Sequence, residues 1–362
     1  MSGLLMIGIA IVVLVSAYLI YGRWLANTWG IDPNAKTPAY TKEDDEDYIP
    51  TPKAVVFSHQ FSSIAGAGPV TGPIIAAMFG WLPALLWILV GGVFFGAVHD
   101  FGALYASVKN EGKSIGCIIE QYIGKTGKKL FLLFSWIFSA LVIAAFADIV
   151  TSTFNGFTAT GAKNTPNAAA ASISMLYIVV AVLFGLFIHY KKPSQLLQFV
   201  MGVILLLLML SVGIAFPLYF SKSFWTVIVF AYIFVASIAP MWILMQPRDY
   251  LSSFLLIGMI IGAVIGVVVA RPSMNLPAFT GFVVNGKMLF PTLFVTIACG
   301  AVSGFHSLVS SGTSSKQVRN EKDMLGIGYG AMLVESLLAV IAIVAVGSLA
   351  VGGKMPKGTP FT

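Results

Sequence analysis

The stretch Ile64-Ala65-Gly66-Ala67-Gly68-Pro69-Val70-Thr71-Gly72-Pro73 decides how this chain is read. It sits inside an apolar segment, Ser62–Phe79, long enough to cross a bilayer core. Its three glycines and two prolines remove two amide donors and favour an unwound backbone. A spanning helix that breaks at mid-length is the device by which many transporters build a solute site near the membrane midplane. The amides of Gly66, Ala67 and Gly68, at the start of a half-helix, suit a carboxylate.

The rest of the chain supports a membrane setting. Of its 362 residues 58% are hydrophobic and 10% charged, with mean hydropathy +0.91. A soluble domain carries about 25% charged residues. Apolar runs without alternation select helices over a barrel. Ten candidate spans follow: Leu4–Tyr21, Ser62–Phe79, Leu82–Val108, Leu130–Val150, Ile173–Tyr190, Leu197–Phe220, Trp225–Met245, Leu251–Ala270, Leu289–Ser310 and Leu325–Val351. The first span lacks a basic leader and an Ala-x-Ala cleavage pattern, so it reads as retained.

The net charge of +7 is a topology signal. Fifteen of the 21 Lys and Arg fall in the loops that share a side with Arg23, which makes that side cytoplasmic and the N-terminus external. Scattered basic residues of this kind argue against nucleic-acid binding. Cys117 and Cys299 resemble neither a disulfide framework nor a metal-ligand set, and Cys299 reads as packing.

The seventh span carries a second interruption, Ser237-Ile238-Ala239-Pro240-Met241-Trp242, followed by Gln246-Pro247-Arg248-Asp249. Two broken spans five apart and of opposite direction predict an inverted five-helix repeat. Residues 1–53 then form a peripheral helix and cytoplasmic loop, 54–223 the first repeat, and 224–362 an incomplete second one. An eleventh helix is expected, on a continuation or on a second polypeptide. The expected solute site is built from Gly66, Ala67, Gly68, Pro69, Thr71 and Gly72 with Ser237, Pro240 and Trp242.

Ionisable groups within spans are costly and point to function. His59, preceding the broken helix, with His99, Asp100 and His306, are relay candidates for a proton. Ser310, Ser311 and Thr313 offer hard oxygens for sodium or hydroxyls for helix-to-helix bonding. The residues leave proton and sodium coupling open. Asp148 and Glu335 are further candidates of this kind, with a wet outer boundary for Asp148 and a hydrogen bond to a neighbouring helix for Glu335 as the structural alternatives. Arg248, Asp249 and Lys316 could form a gate or an interfacial salt bridge. No P-loop and no HExxH occurs, so ATP drive and intramembrane metalloproteolysis are excluded, and no enzyme or other cofactor is expected.

The chain also resembles the carbon starvation protein CstA family. The resemblance is carried, in order, by Thr37-Pro38-Ala39, Asp47-Tyr48-Ile49-Pro50-Thr51, His59-Gln60-Phe61, Ile64-Ala65-Gly66-Ala67-Gly68-Pro69, Gly72-Pro73, Gly96-Ala97-Val98-His99-Asp100-Phe101, Pro247-Arg248-Asp249-Tyr250-Leu251 and Ala298-Cys299-Gly300-Ala301-Val302-Ser303-Gly304-Phe305-His306 through Ser311-Gly312-Thr313. It implies an all-α integral membrane protein of the inner membrane, with the LeuT/APC-like inverted repeat of the amino acid–polyamine–organocation superfamily. It implies import of peptides or of a pyruvate-like carboxylate, coupled to a cation, and a role in carbon starvation. Family proteins are longer, with further C-terminal helices. A nutrient sensor or complex subunit that binds solute without moving it is the alternative.

Overall fold

The computed structural model describes residues 2–240 and 243–350. The described residues are mainly helical. We number the main helices α1 (Gly3–Thr28), α2 (Lys53–Ile64), α3 (Gly68–Phe79), α4 (Trp81–Lys109), α5 (Lys125–Phe154), α6 (Thr165–Lys191), α7 (Gln195–Ala215), α8 (Lys222–Ile238), α9 (Met245–Ala270), α10 (Leu289–Thr296), α11 (Ala298–Ala301), α12 (Gly304–Gly312) and α13 (Glu321–Leu349). Val283–Val284 and Lys287–Met288 pair as a small antiparallel hairpin.

Helix ends follow local chemistry. Ser194 and Ser221 cap α7 and α8 by accepting the amide protons of Leu197 and Phe224. Pro166, at the first turn of α6, needs no amide partner there, and that helix ends at Lys192 in the left-handed region. Among the described residues seven helices are long and apolar enough to cross a membrane, and α2 with α3, bent by 41° at the break, adds an eighth candidate. Helix occupies each of the ten segments expected from the sequence. The seventh is the shorter α8, and the ninth is divided among α10, α11 and α12.

The chain forms two compact units. The first comprises residues 1–118 and 256–362, and the second comprises residues 119–255. In the first, α13 is the axle: α1, α3 and α4 all pack on it, and its most apolar stretch is 67% buried. Glycines permit the close approach. A Cβ at Gly92 of α4 would fall on the Ser336 hydroxyl, and one at Gly72 of α3 on the Thr296 carbonyl. In the second unit α6 pairs with α7, and α5 with α6 and α8. Trp225 is buried against Phe154, with ring centroids 5.4 Å apart. The most apolar stretch of α5 is only 6% buried, the surface expected of a helix whose solvent is lipid.

Candidate functional site

The first break lies within the stretch that the sequence marks but is shorter, since Gly68–Ala76 is helical with Pro73 inside it. α2 ends at Ile64, the Gly66 amide turns back to the Ile64 carbonyl at 2.8 Å, and α3 restarts at Gly68 with Pro69 in its first turn. Proline is tolerated there because a first-turn amide has no intrahelical acceptor. Thr71 hydroxyl returns to the Ala67 carbonyl at 3.0 Å. The helix before the break starts at Lys53, so His59 lies within α2, buried, instead of preceding it as its sequence context suggested.

Within the same unit, the break faces a second interrupted segment. Val302 and Ser303 adopt extended backbone between α11 and α12. Here α3 packs on α11, and α12 on α2 and α4. A Cβ at Gly68 would lie 2.6 Å from both Cβ and Sγ of Cys299, so α3 begins directly against that cysteine. Ser237 and Pro240 belong to the second unit, and Trp242 lies outside the described residues. Ser237 there donates to the Phe234 carbonyl at 2.7 Å, and α8 ends beside it at Ile238.

Behind the break is a buried charged cluster. Asp100 of α4, His306 of α12 and Glu335 of α13 are all fully buried. His306 Nδ1 lies 2.9 Å from Asp100 Oδ2, and His306 Nε2 lies 3.5 Å from Glu335 Oε2. His99 Nδ1 reaches the other Asp100 oxygen at 3.1 Å, with its own side chain partly exposed. Cys299 Sγ completes the group: its sulfur, a ring nitrogen of His306 and a carboxylate oxygen of Glu335 lie within 4.8 Å of one another. Cys299, read from the sequence as packing, also sits beside two ionisable groups. The three residues are separated in sequence and converge only because the ninth segment breaks and lies against α13. Glu335 of α13 faces Cys299 and His306, on the two sides of the ninth-segment break.

A second polar group ties α2 to α12. Gln60 is fully buried and donates from Nε2 to Ser310 Oγ at 2.9 Å, while Ser314 donates to its Oε1 at 2.6 Å. Ser311 donates to the Ser307 carbonyl at 2.7 Å. Ser107 of α4 donates to Ser315 Oγ at 2.8 Å. Of the two hydroxyls expected to bind sodium or to join helices, Ser310 takes the bond from Gln60 of α2, while Ser311 bonds back within α12 and accepts the Ile115 amide at 3.4 Å. Thr313 ends α12 as a half-buried residue.

The expected gate residues have separate partners. Arg248 forks onto its neighbour Asp249, from Nε at 2.9 Å and from NH2 at 2.8 Å, and reaches the Tyr232 hydroxyl at 3.1 Å. Lys316 pairs with Asp47 at 2.8 Å. Asp148 forms an exposed ion pair with Lys222 at 2.6 Å, as its boundary position suggested. On the face that the charge bias assigns to the cytoplasm, Glu321 is buried. It accepts Lys109 Nζ on both oxygens at 2.8 Å and the Asp32 amide at 2.8 Å, joining the loop after α1 to α4 and α13.

A bundle of long apolar helices holding buried ionisable groups beside interrupted segments defines a multi-pass α-helical membrane protein. The comparisons agree, and the chain belongs to the carbon starvation protein CstA family, whose model matches residues 2–356. It is 38% identical over 360 residues to "Peptide transporter CstA" of Campylobacter jejuni, covering 95% of this chain and 50% of that protein. It is 37% identical over 374 residues to "Pyruvate/proton symporter BtsT" of Escherichia coli, covering 99% of this chain and 51% of the relative. A "Peptide transporter CstA" of Bacillus subtilis is 36% identical over 360 residues, or 93% of this chain and 57% of that protein. The chain spans about half the length of the curated relatives it matches. These relatives carry transporter names and not enzyme names. No solved structure matches.

Proposed function

We propose that this chain forms the solute-binding part of a cation-coupled secondary transporter that imports a small organic solute across the cytoplasmic membrane. The observation that carries the reading is the meeting of two interrupted segments, α2–α3 and α10–α12, around buried ionisable groups in one membrane-spanning unit. Broken helices expose backbone groups only where protein or a solvated cavity can satisfy them, and solute sites use that. The start of α3 at Ala67 and Gly68 offers amides and a positive dipole end to a carboxylate, which peptides and pyruvate both carry, the Gly66 amide being taken by the Ile64 carbonyl. The names of the relatives, peptide transporter and pyruvate/proton symporter, point to the same two solute classes.

The ten-span count, the inverted repeat and the external N-terminus belong to this reading, supported by loop charge and by helix in every expected segment. A role in starvation is supported by the family description. Coupling demands little of the protein: one charge moving through 100 mV contributes about 2.3 kcal/mol. The test is uptake of labelled pyruvate and of a labelled dipeptide into vesicles bearing a proton gradient, a sodium gradient or neither. Accumulation of one solute driven by one gradient is expected. Binding without accumulation, in protein shown to be folded, would identify a sensor instead.

A further inference from the structure

We propose that Cys299 Sγ, His306 Nε2 and the Glu335 carboxylate bind a divalent transition-metal ion of the zinc type, which staples the interrupted ninth segment to α13. The inference stands apart from the identity of the solute. It rests on the ring of His306. The 2.9 Å contact between His306 Nδ1 and Asp100 Oδ2 holds the ring with Nε2 on the opposite side, towards Glu335 and Cys299. A carboxylate behind a histidine that faces a cation is the recurrent arrangement of metal-binding histidines. His99 at 3.1 Å holds the second oxygen of Asp100 and fixes its orientation.

What Nε2 faces is Glu335, at 3.5 Å. That separation is long for a hydrogen bond and suits two ligands of one small ion. Zinc bonds of about 2.0–2.2 Å to nitrogen and oxygen, at tetrahedral angles, place the two atoms about 3.4 Å apart. Glu335 and His306 are fully buried, and the Cys299 thiol lies within interaction reach of both. The third donor, the Cys299 sulfur, lies within 4.8 Å of the other two, so a small side-chain rotation closes the set.

Sulfur, imidazole and carboxylate together select zinc, iron or cobalt over sodium, magnesium or calcium. Cys299 lies in α11 and His306 in α12, on opposite sides of the extended Val302–Ser303 link. The ion would therefore bridge the break itself, with Glu335 anchoring it to α13 and the start of α3 lying against the thiol. A metal on Nε2 excludes a proton there, so His306 becomes an anchor and not a relay.

The test is the metal content of the purified chain, and titration of metal-stripped protein with Zn2+ and with Co2+ followed by absorption. Wild type should retain stoichiometric metal, and its cobalt form should show a thiolate charge-transfer band. Cys299→Ser should lose that band while Cys117→Ser keeps it. Asp100→Asn, which leaves all three ligands in place, should weaken affinity about 10–100-fold. Folded wild type that takes up neither ion, or a charge-transfer band that persists in Cys299→Ser, would overturn the proposal. Because the readout is metal and not uptake, it fails separately from the transport reading.

Discussion

Gln60 is the side chain whose loss should loosen the two interrupted segments most cleanly. It is fully buried in α2 and holds Ser310 at 2.9 Å and Ser314 at 2.6 Å, at the far end of α12. Gln60→Met removes both bonds while keeping an unbranched chain of similar volume, so little cavity is created. Each interhelical hydrogen bond in a membrane protein contributes about 0.6 kcal/mol on average and at most about 1.7. A donor or acceptor left unmet in the interior adds about 1–3 kcal/mol. Two bonds of this kind, partly recovered when the serines turn to nearby carbonyls, give an expected loss of about 1–3 kcal/mol. The assay is reversible unfolding in mixed detergent micelles, for wild type, Gln60→Met, Ser310→Ala and the double variant. A coupling of about 0.5 kcal/mol or more should appear in that cycle. Wild-type stability in Gln60→Met, or strictly additive effects with Ser310→Ala, would refute the clamp.

Other substitutions probe the remaining contacts. Gly92→Ala places a methyl on the Ser336 hydroxyl and should destabilise by about 1–3 kcal/mol, a loss that Ser336→Gly should partly restore in the same unfolding assay. Glu321→Gln weakens the double contact with Lys109; because solvent reaches Lys109, thermal unfolding should show a loss of only about 1–2 kcal/mol. Arg248→Lys keeps the charge but not the fork onto Asp249, so a lower melting temperature is expected despite the conserved charge. Glu111 is held below the usual carboxylate range by the hydrogen bond from Lys42. A lowered carboxylate stabilises above its unfolded pKa and loses that contribution as pH falls through the folded value, so Glu111→Gln should flatten the acid side of the melting-temperature profile slightly. An unchanged profile would show that this exposed pair contributes nothing.

The sequence carried much of this in plain view, because composition alone forces helices and glycine with proline marks the first break. The break at Gly66–Gly68 was legible since its residues cannot continue a helix and its neighbours are uniformly apolar. The interruption at Val302–Ser303 was not, because neither residue is a strong helix breaker and Cys299–Ser311 reads as one polar-streaked span. Its geometry comes from packing against α3, α4 and α13, which no local pattern records. The same is true of the Cys299, His306 and Glu335 convergence. His306 was singled out by cost, as any buried histidine in a span would be. Its partners come from elements far apart in sequence. Gln60 was visible only as a polar residue beside His59, and its two serine partners emerge once α12 lies along α2.

The most direct test of the central claim is uptake into proteoliposomes by wild type and by Gly68→Leu, matched for inserted protein. A leucine at residue 68 would drive its side chain into Cys299 and fill the break, leaving the apolar spans that govern insertion intact. The account predicts that wild type concentrates pyruvate or a dipeptide when a cation gradient is imposed, and that Gly68→Leu, though inserted and folded, does not. Uptake by Gly68→Leu at the wild-type rate would contradict it.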